Sequence, residues 1–159
     1  MAGSGKALLV AATLIGAATM LPMARAATAP SDPCSLLTAA DVSKSMGQTY
    51  GAPEKTVAPR PYANTVQGTD CHYSASSGGN ELLFRIYFDP SAADATGLFA
   101  KLKFFYSPPT PVPGLGDEAY FDPNHGLHVR KGNVRFFLNL ADNTDSQLKA
   151  IASLIAGRI

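Results

Sequence analysis

The sequence predicts an α+β domain: a mostly antiparallel sheet with about three helices packed on one face and one disulfide. Three observations predict it. Alternating segments outnumber helical ones, and the links between them are hairpin-like, which favours antiparallel pairing. The order along the chain is helix, strands, helix, strands, helix. Only two cysteines are present, Cys34 and Cys71.

The elements follow in chain order. Thr38 and Asp41 have capping-box spacing, Leu37 and Val42 supply a hydrophobic staple, and the helix runs to Met46 before Gly47. Residues 50–68 are rich in Pro and Gly and read as extended, with an edge strand near Lys55–Ala58. Thr69–Ala75 reads as a strand. Glu81–Asp89 is the clearest strand: Leu82, Phe84, Ile86 and Phe88 alternate on one side, with Glu81, Arg85, Tyr87 and Asp89 on the other. Asp89 and Pro90 read as the start of a second helix whose apolar stripe is Ala95, Leu98, Leu102 and Phe105. The segment Ser107–Pro113 ends it as a stiff connector. Further strands are predicted at Glu118–Phe121, Leu127–Lys131 and Val134–Leu140, the last two joined by a Gly132-Asn133 turn. That turn sets Val129 opposite Phe136, Leu127 opposite Leu138, His128 opposite Phe137 and Arg130 opposite Arg135. Thr144 opens a last helix carrying Leu148, Ile151, Ala152 and Ile155 inward, ending near Gly157.

The first segment is read as an address rather than as structure. Lys6, an apolar run from Ala7 to Leu21, and Ala24-Arg25-Ala26 are the three parts of a secretory signal, with cleavage expected before Ala27. The run is short of the roughly 20 apolar residues that a spanning helix needs. No cysteine follows the cleavage position for lipid attachment. The expected organisation is a signal over 1–26, a short tether over 27–33 and one α+β domain over 34–159, with no stable membrane anchor after cleavage. The expected location is the periplasm or the extracellular space. Gly3-Ser4-Gly5-Lys6 lacks the earlier glycine, strand and helix that a phosphate-binding loop requires. In an oxidising compartment a Cys34–Cys71 bond is the default, and their wide spacing argues against a redox pair. Without Lys6 and Arg25 the formal charge falls from +1 to about −1, which is not the basic footprint of a nucleic-acid binder.

Several phrases together resemble a known family. Asp32-Pro-Cys-Ser-Leu-Leu-Thr38-x-x-Asp41, Cys71-x-Tyr73 and Val112-Pro-Gly-Leu-Gly-Asp-Glu-Ala-Tyr120 are similar to small exported domains of unknown function, common among actinobacterial lipoproteins. More loosely they resemble extracellular sensor domains of mycobacterial receptor kinases. The resemblance covers Asp32 to the C-terminus. It implies an α+β envelope domain with the two cysteines paired and a shallow ligand cleft, and it implies no catalytic activity. The chain departs from the lipoprotein members in lacking the lipidated cysteine.

Candidate chemistry is sparse. Asp70, His72 and Ser74 share a strand face, but side chains two apart on a strand project in parallel about 6.5 Å from one another rather than converging. His125 and His128 are three apart near Asp122, whereas a metal site needs three or four convergent ligands; no metal or cofactor is called for. Asp117 and Glu118 point to opposite faces. The outer face of the last hairpin is the more informative feature, since like charges directly opposed across a strand pair are unfavourable. Solvent, an acidic neighbour or an anionic partner must offset Arg130 and Arg135. Two readings follow: a pair of solvated arginines, or a ligand-binding patch of His128, Arg130, Arg135 and Phe137.

Three function classes are carried forward. The first is a non-enzymatic envelope module that binds or senses a small anionic ligand or an envelope protein. The second is a small secreted enzyme using residues of the His72 and His128 strands. The third is an accessory or inhibitor protein acting on an envelope component. An enzyme should show a deep pocket with His72 or His128 beside a carboxylate, and a partner-binding module a shallow groove or exposed apolar patch.

Overall fold

The computed structural model describes residues 1, 26–141 and 145–159. All but the first and last residues of the export signal read over 1–26, and the cap read at Thr144, lie outside them. Among the described residues the alternating segments form seven strands: β1 (Glu54–Ala58), β2 (Gly68–Ser74), β3 (Glu81–Phe88), β4 (Thr110–Pro111), β5 (Glu118–Phe121), β6 (Leu127–Lys131) and β7 (Val134–Leu140). They lie in the order β1-β2-β3-β7-β6-β5-β4, and every neighbouring pair is antiparallel. Two meanders therefore meet along the β3–β7 seam. The predicted hairpin register holds, with Val129 opposite Phe136 and His128 opposite Phe137. Gly132 sits at the first turn position with φ +56°, as a type II′ turn requires. The connector read at Ser107–Pro113 contains β4, a two-residue strand on the sheet edge, where a proline costs no ladder bond.

Three helices pack on this sheet: α1 (Ala39–Met46), α2 (Ala92–Phe105) and α3 (Asp145–Arg158). The Thr38–Asp41 capping box forms and Gly47 ends α1 at φ +70°. Leu148, Ile151, Ala152 and Ile155 of α3 are all fully buried. With Leu37 and Val42 they form one core against Leu82, Phe84, Ile86, Val129, Phe136 and Leu138. Each such aliphatic or aromatic side chain contributes about 1.5–3 kcal/mol. Arg158 forks onto Asp41 at 2.7 and 3.0 Å and joins α3 to the start of α1. That pairing holds the Asp41 carboxyl well below its usual range and raises Arg158.

The disulfide is present: Cys34 in a 3-10 turn (Pro33–Leu36) bonds Cys71 of β2, with Cα atoms 5.7 Å apart. The Tyr73 hydroxyl donates to the Leu37 and Cys34 carbonyls beside it. Upstream, Ala27 is docked on the hairpin turn. Its N–H donates to Asn133 Oδ1 at 2.7 Å and its carbonyl accepts from Asn133 Nδ2 at 2.9 Å.

The α+β class stands, but the expectation of helices on one face needs correcting, because α2 lies on the other. Tyr120, His128 and Phe137 are direct cross-strand partners and so share a face, opposite to that of Phe136. The Phe99 ring of α2 packs on Tyr120 at 5.1 Å and Tyr106 on His128 at 5.1 Å. Helix α2 also starts later than the sequence suggests. Ser91 is its cap, accepting from the Asp94 N–H at 3.1 Å, while Asp89 is buried as an ion-pair partner. The stripe turns accordingly: Ala95 and Phe99 are buried, and Phe105 is 77% exposed.

Candidate functional site

One row of residues crosses the α2 side of the sheet in register: Thr56, Asp70, Arg85, Phe137, His128 and Tyr120. Helix α2 covers only part of it. Between the second half of α2, the chain at Pro59–Tyr62 and this row lies a hollow of about 270 Å³, floored by Arg85, Tyr87, Phe137 and His128. Leu102, Phe105 and Tyr106 form its helical wall, and Arg60 belongs to its lining.

The polar groups of the floor are fixed by partners outside the hollow. Asp70, 7% exposed, accepts from Arg85 Nε and Nη2 at 2.6 and 2.7 Å. This fork raises the Arg85 pKa further, so the guanidinium carries its charge at every relevant pH. The Tyr87 hydroxyl donates to the Pro59 carbonyl at 2.8 Å and ties the loop wall to the sheet; burial raises its pKa. His128 stacks on Tyr120 with ring centroids 4.7 Å apart and meets Phe137 at 4.7 Å. Its Nε2 lies 2.9 Å from Asp122 Oδ2. Asp122 Oδ1 in turn accepts from the Asn124 and Gly126 N–H groups at 2.8 and 2.9 Å. Burial lowers the His128 pKa, against the opposing pull of Asp122, so the ring is neutral at pH 7. Two glycines make room for this floor. A Cβ on Gly68 would sit 2.6 Å from the Tyr87 ring, and one on Gly126 would collide with the Phe137 ring.

Of the four predicted ligand-binding residues, His128 and Phe137 come together in the hollow, whereas Arg130 and Arg135 are outside its lining. Both arginines have acidic neighbours. Arg130 donates to Asp117 at 2.9 Å. Arg135 forks onto Asp89 at 2.5 and 2.9 Å, with the two side chains 3% and 0% exposed. The like-charge conflict across the hairpin is thus offset by carboxylates arriving from other segments. Asp70 is buried rather than on a solvated face, and Ser74 is exposed. His72 pairs with Glu81 and is separated from His128 by β3 and β7, about 14 Å across the sheet. His125 turns away to Asp145 at 3.5 Å.

No protein-family model and no curated protein matches the chain. Among solved structures it is similar to the extracellular domain of PknH from Mycobacterium tuberculosis, with a TM-score of 0.50 and 14% identity over 78% of this chain and 92% of that one. The likeness is one of fold. It meets the looser of the two resemblances at that level. Among the described residues no helix is long and apolar enough to cross a membrane.

A second cleft, of about 510 Å³, runs beside the first half of α2 against residues 62–66, and Tyr62 lines both. Sequence reasoning missed Arg85 and Tyr87 as floor residues, although both stand on the polar side of the clearest strand. It also missed Arg60 and Tyr62, which lie in a segment read only as extended. Chemically, the hollow offers a fixed cation, aromatic walls and a neutral imidazole oriented by a carboxylate.

Proposed function

We propose that this chain is an exported cell-envelope module that binds or senses a small planar anion in the hollow above Arg85, without chemical turnover. One observation carries the reading: Arg85 is held by Asp70 among aromatic rings, with Arg60 as a second cation and, among the described residues, no carboxylate in the lining. A flat apolar body would stack between Phe137 and the α2 rings, and its acid group would meet the guanidinium edge that Asp70 leaves free. The volume lies just below the range of about 300–1,000 Å³ usual for drug-sized ligands, which suits one or two rings. The export signal in the sequence, the Cys34–Cys71 bond and the fold shared with an extracellular domain support an envelope location.

Titration with naphthalene-2-sulfonate, a fluorescent planar anion of two rings, tests the site. Phe137→Ala and Arg60→Ala should each weaken binding roughly tenfold, equivalent to about 1.4 kcal/mol; unchanged affinity in both variants removes the hollow as the site. A second reading is favoured by the Asp122–His128 pair, which has the geometry of an oriented general base. The hollow's lining carries no serine, threonine or cysteine among the described residues, so such a base would act on water. Turnover that vanishes in His128→Gln while ligand binding persists would select it.

A further inference from the structure

Gly97 has no structural reason to be glycine. It sits in the middle of α2, where glycine is the poorest helix former after proline. Its φ is not among the positive ones. A Cβ added there would meet nothing within 4 Å, so neither backbone nor packing requires its absence. What the missing side chain does provide is access, because Gly97 lines the 510 Å³ cleft and leaves the helix backbone bare toward it. That volume falls within the usual small-ligand range of about 300–1,000 Å³.

The rest of the lining defines the chemistry. The charges in the lining balance in number: Lys101 and Asp94 carry one of each sign, and Asp89 is already neutralised by Arg135. Neither an anion nor a cation is favoured. The loop side carries the Tyr62 ring, 42% exposed, with Lys101 Nζ 5.7 Å from its centroid. Thr65 fixes the turn that presents this ring: its hydroxyl donates to the Tyr62 carbonyl at 2.7 Å and accepts from the Tyr62 N–H at 3.3 Å. Asn64 and Asp94 add short hydrogen-bonding groups to the lining. An aromatic platform, a bare helical wall and uncharged overall polarity suit a ligand with a flat C–H face and a hydroxyl edge.

We propose that this cleft is a saccharide site, taking an uncharged sugar ring between Tyr62 and Gly97. It is independent of the anion hollow, although Tyr62 borders both.

The test is a titration of the ¹⁵N-labelled protein with tri-N-acetylchitotriose and, separately, with cellotriose, followed by amide shifts. Saturable shifts at Gly97 and Thr65 with either sugar are expected. Gly97→Ala should weaken that binding roughly tenfold while raising the Tm by about 2–4 °C, since alanine favours the helix. Tyr62→Ala should weaken it similarly, and Arg60→Ala, in the anion hollow, should leave it unchanged. Absence of saturable shifts with both sugars overturns the proposal, as does a Gly97→Ala protein that binds with parental affinity. Loss of sugar binding in Arg60→Ala would also overturn it, because the sugar would then occupy the other hollow.

Discussion

Arg135 separates the outward-facing reading of the hairpin from the arrangement found. A solvated arginine can be removed at almost no cost, whereas Arg135 is 3% exposed and forks onto an Asp89 carboxylate that is 0% exposed. Its guanidinium also lies 4.8 Å from the centroid of the Tyr87 ring. Removing one member of such a pair leaves a buried charge without its partner, which costs about 3–5 kcal/mol. For a domain of this size that lowers the Tm on the order of 10–15 °C. Asp89→Ala should cost a comparable amount, because it strands the Arg135 guanidinium in the same buried site. The double variant Asp89→Leu with Arg135→Met should recover most of the loss, since apolar replacement of both partners is often near neutral. The chain has no tryptophan, so thermal unfolding followed by far-UV circular dichroism is the appropriate assay. An Arg135→Ala protein melting within about 2 °C of the parent, less than 1 kcal/mol, would refute the argument.

Three further outcomes follow from the same geometry. Burial lowers the His128 pKa, so the unfolded chain binds a proton first as the pH falls, and stability should decline below about pH 6.5, the unperturbed histidine value; His128→Gln should flatten the Tm profile between about pH 7 and 5, and an unchanged slope counts against the burial. Breaking the Cys34–Cys71 bond, whose cysteines are 37 positions apart, should cost about 4 kcal/mol by the chain-entropy relation; a Cys34→Ala/Cys71→Ala protein as stable as the parent in urea would show that the cross-link contributes nothing. Gly126→Ala drives a methyl into the Phe137 ring and to 2.7 Å from Asp122 Oδ2, so it should cost about 1–3 kcal/mol and weaken naphthalene-2-sulfonate binding, as a fluorescence titration alongside the melt would show.

Much of the fold was legible because it rests on local patterns. The Thr38–Asp41 cap, the alternation from Leu82 to Ile86, the Gly132-Asn133 turn and the inward stripe of α3 each depend on residues a few positions apart. The placement of α2 was not legible. Its apolar residues go most of the way round, since Ala93, Ala100 and Phe104 stand opposite the stripe of Ala95, Leu98, Leu102 and Phe105, and its pattern names no side of the sheet. The site shows the same division. That Arg130 and Arg135 oppose each other followed from the turn, and the conflict was read correctly. Its resolution lay in Asp117 and Asp89, the latter 46 positions from Arg135, and no local pattern announces such a partner. Arg85 and Asp70 illustrate the point again. Both were visible as polar strand residues, but only the β2–β3 register makes them one unit.

The side chosen by α2 also explains why the clefts lie where they do. Seven strands span about 29 Å across the sheet, while one helix is about 10 Å wide and covers roughly two strand spacings. On the core face α1, α3 and the disulfide-bound turn share the covering. On the other face, among the described residues, α2 is the one helix and sits over β5 to β7, pinned by Phe99 on Tyr120 and by Lys103 on Glu118 at 2.8 Å. Beyond it the sheet at Arg85 and Tyr87 is bordered by the chain from Pro59 to Val66, which has no helix or strand with which to seal against α2. A seam between a rigid helix and an irregular strap must leave gaps. Those gaps are the two clefts, and Tyr62, whose ring centroid is 5.7 Å from Lys101 Nζ of the helix, lines both. Under the binding role proposed above, specificity would reside in the strap and in the outer residues of α2, which stand apart from the core on the far side of the sheet.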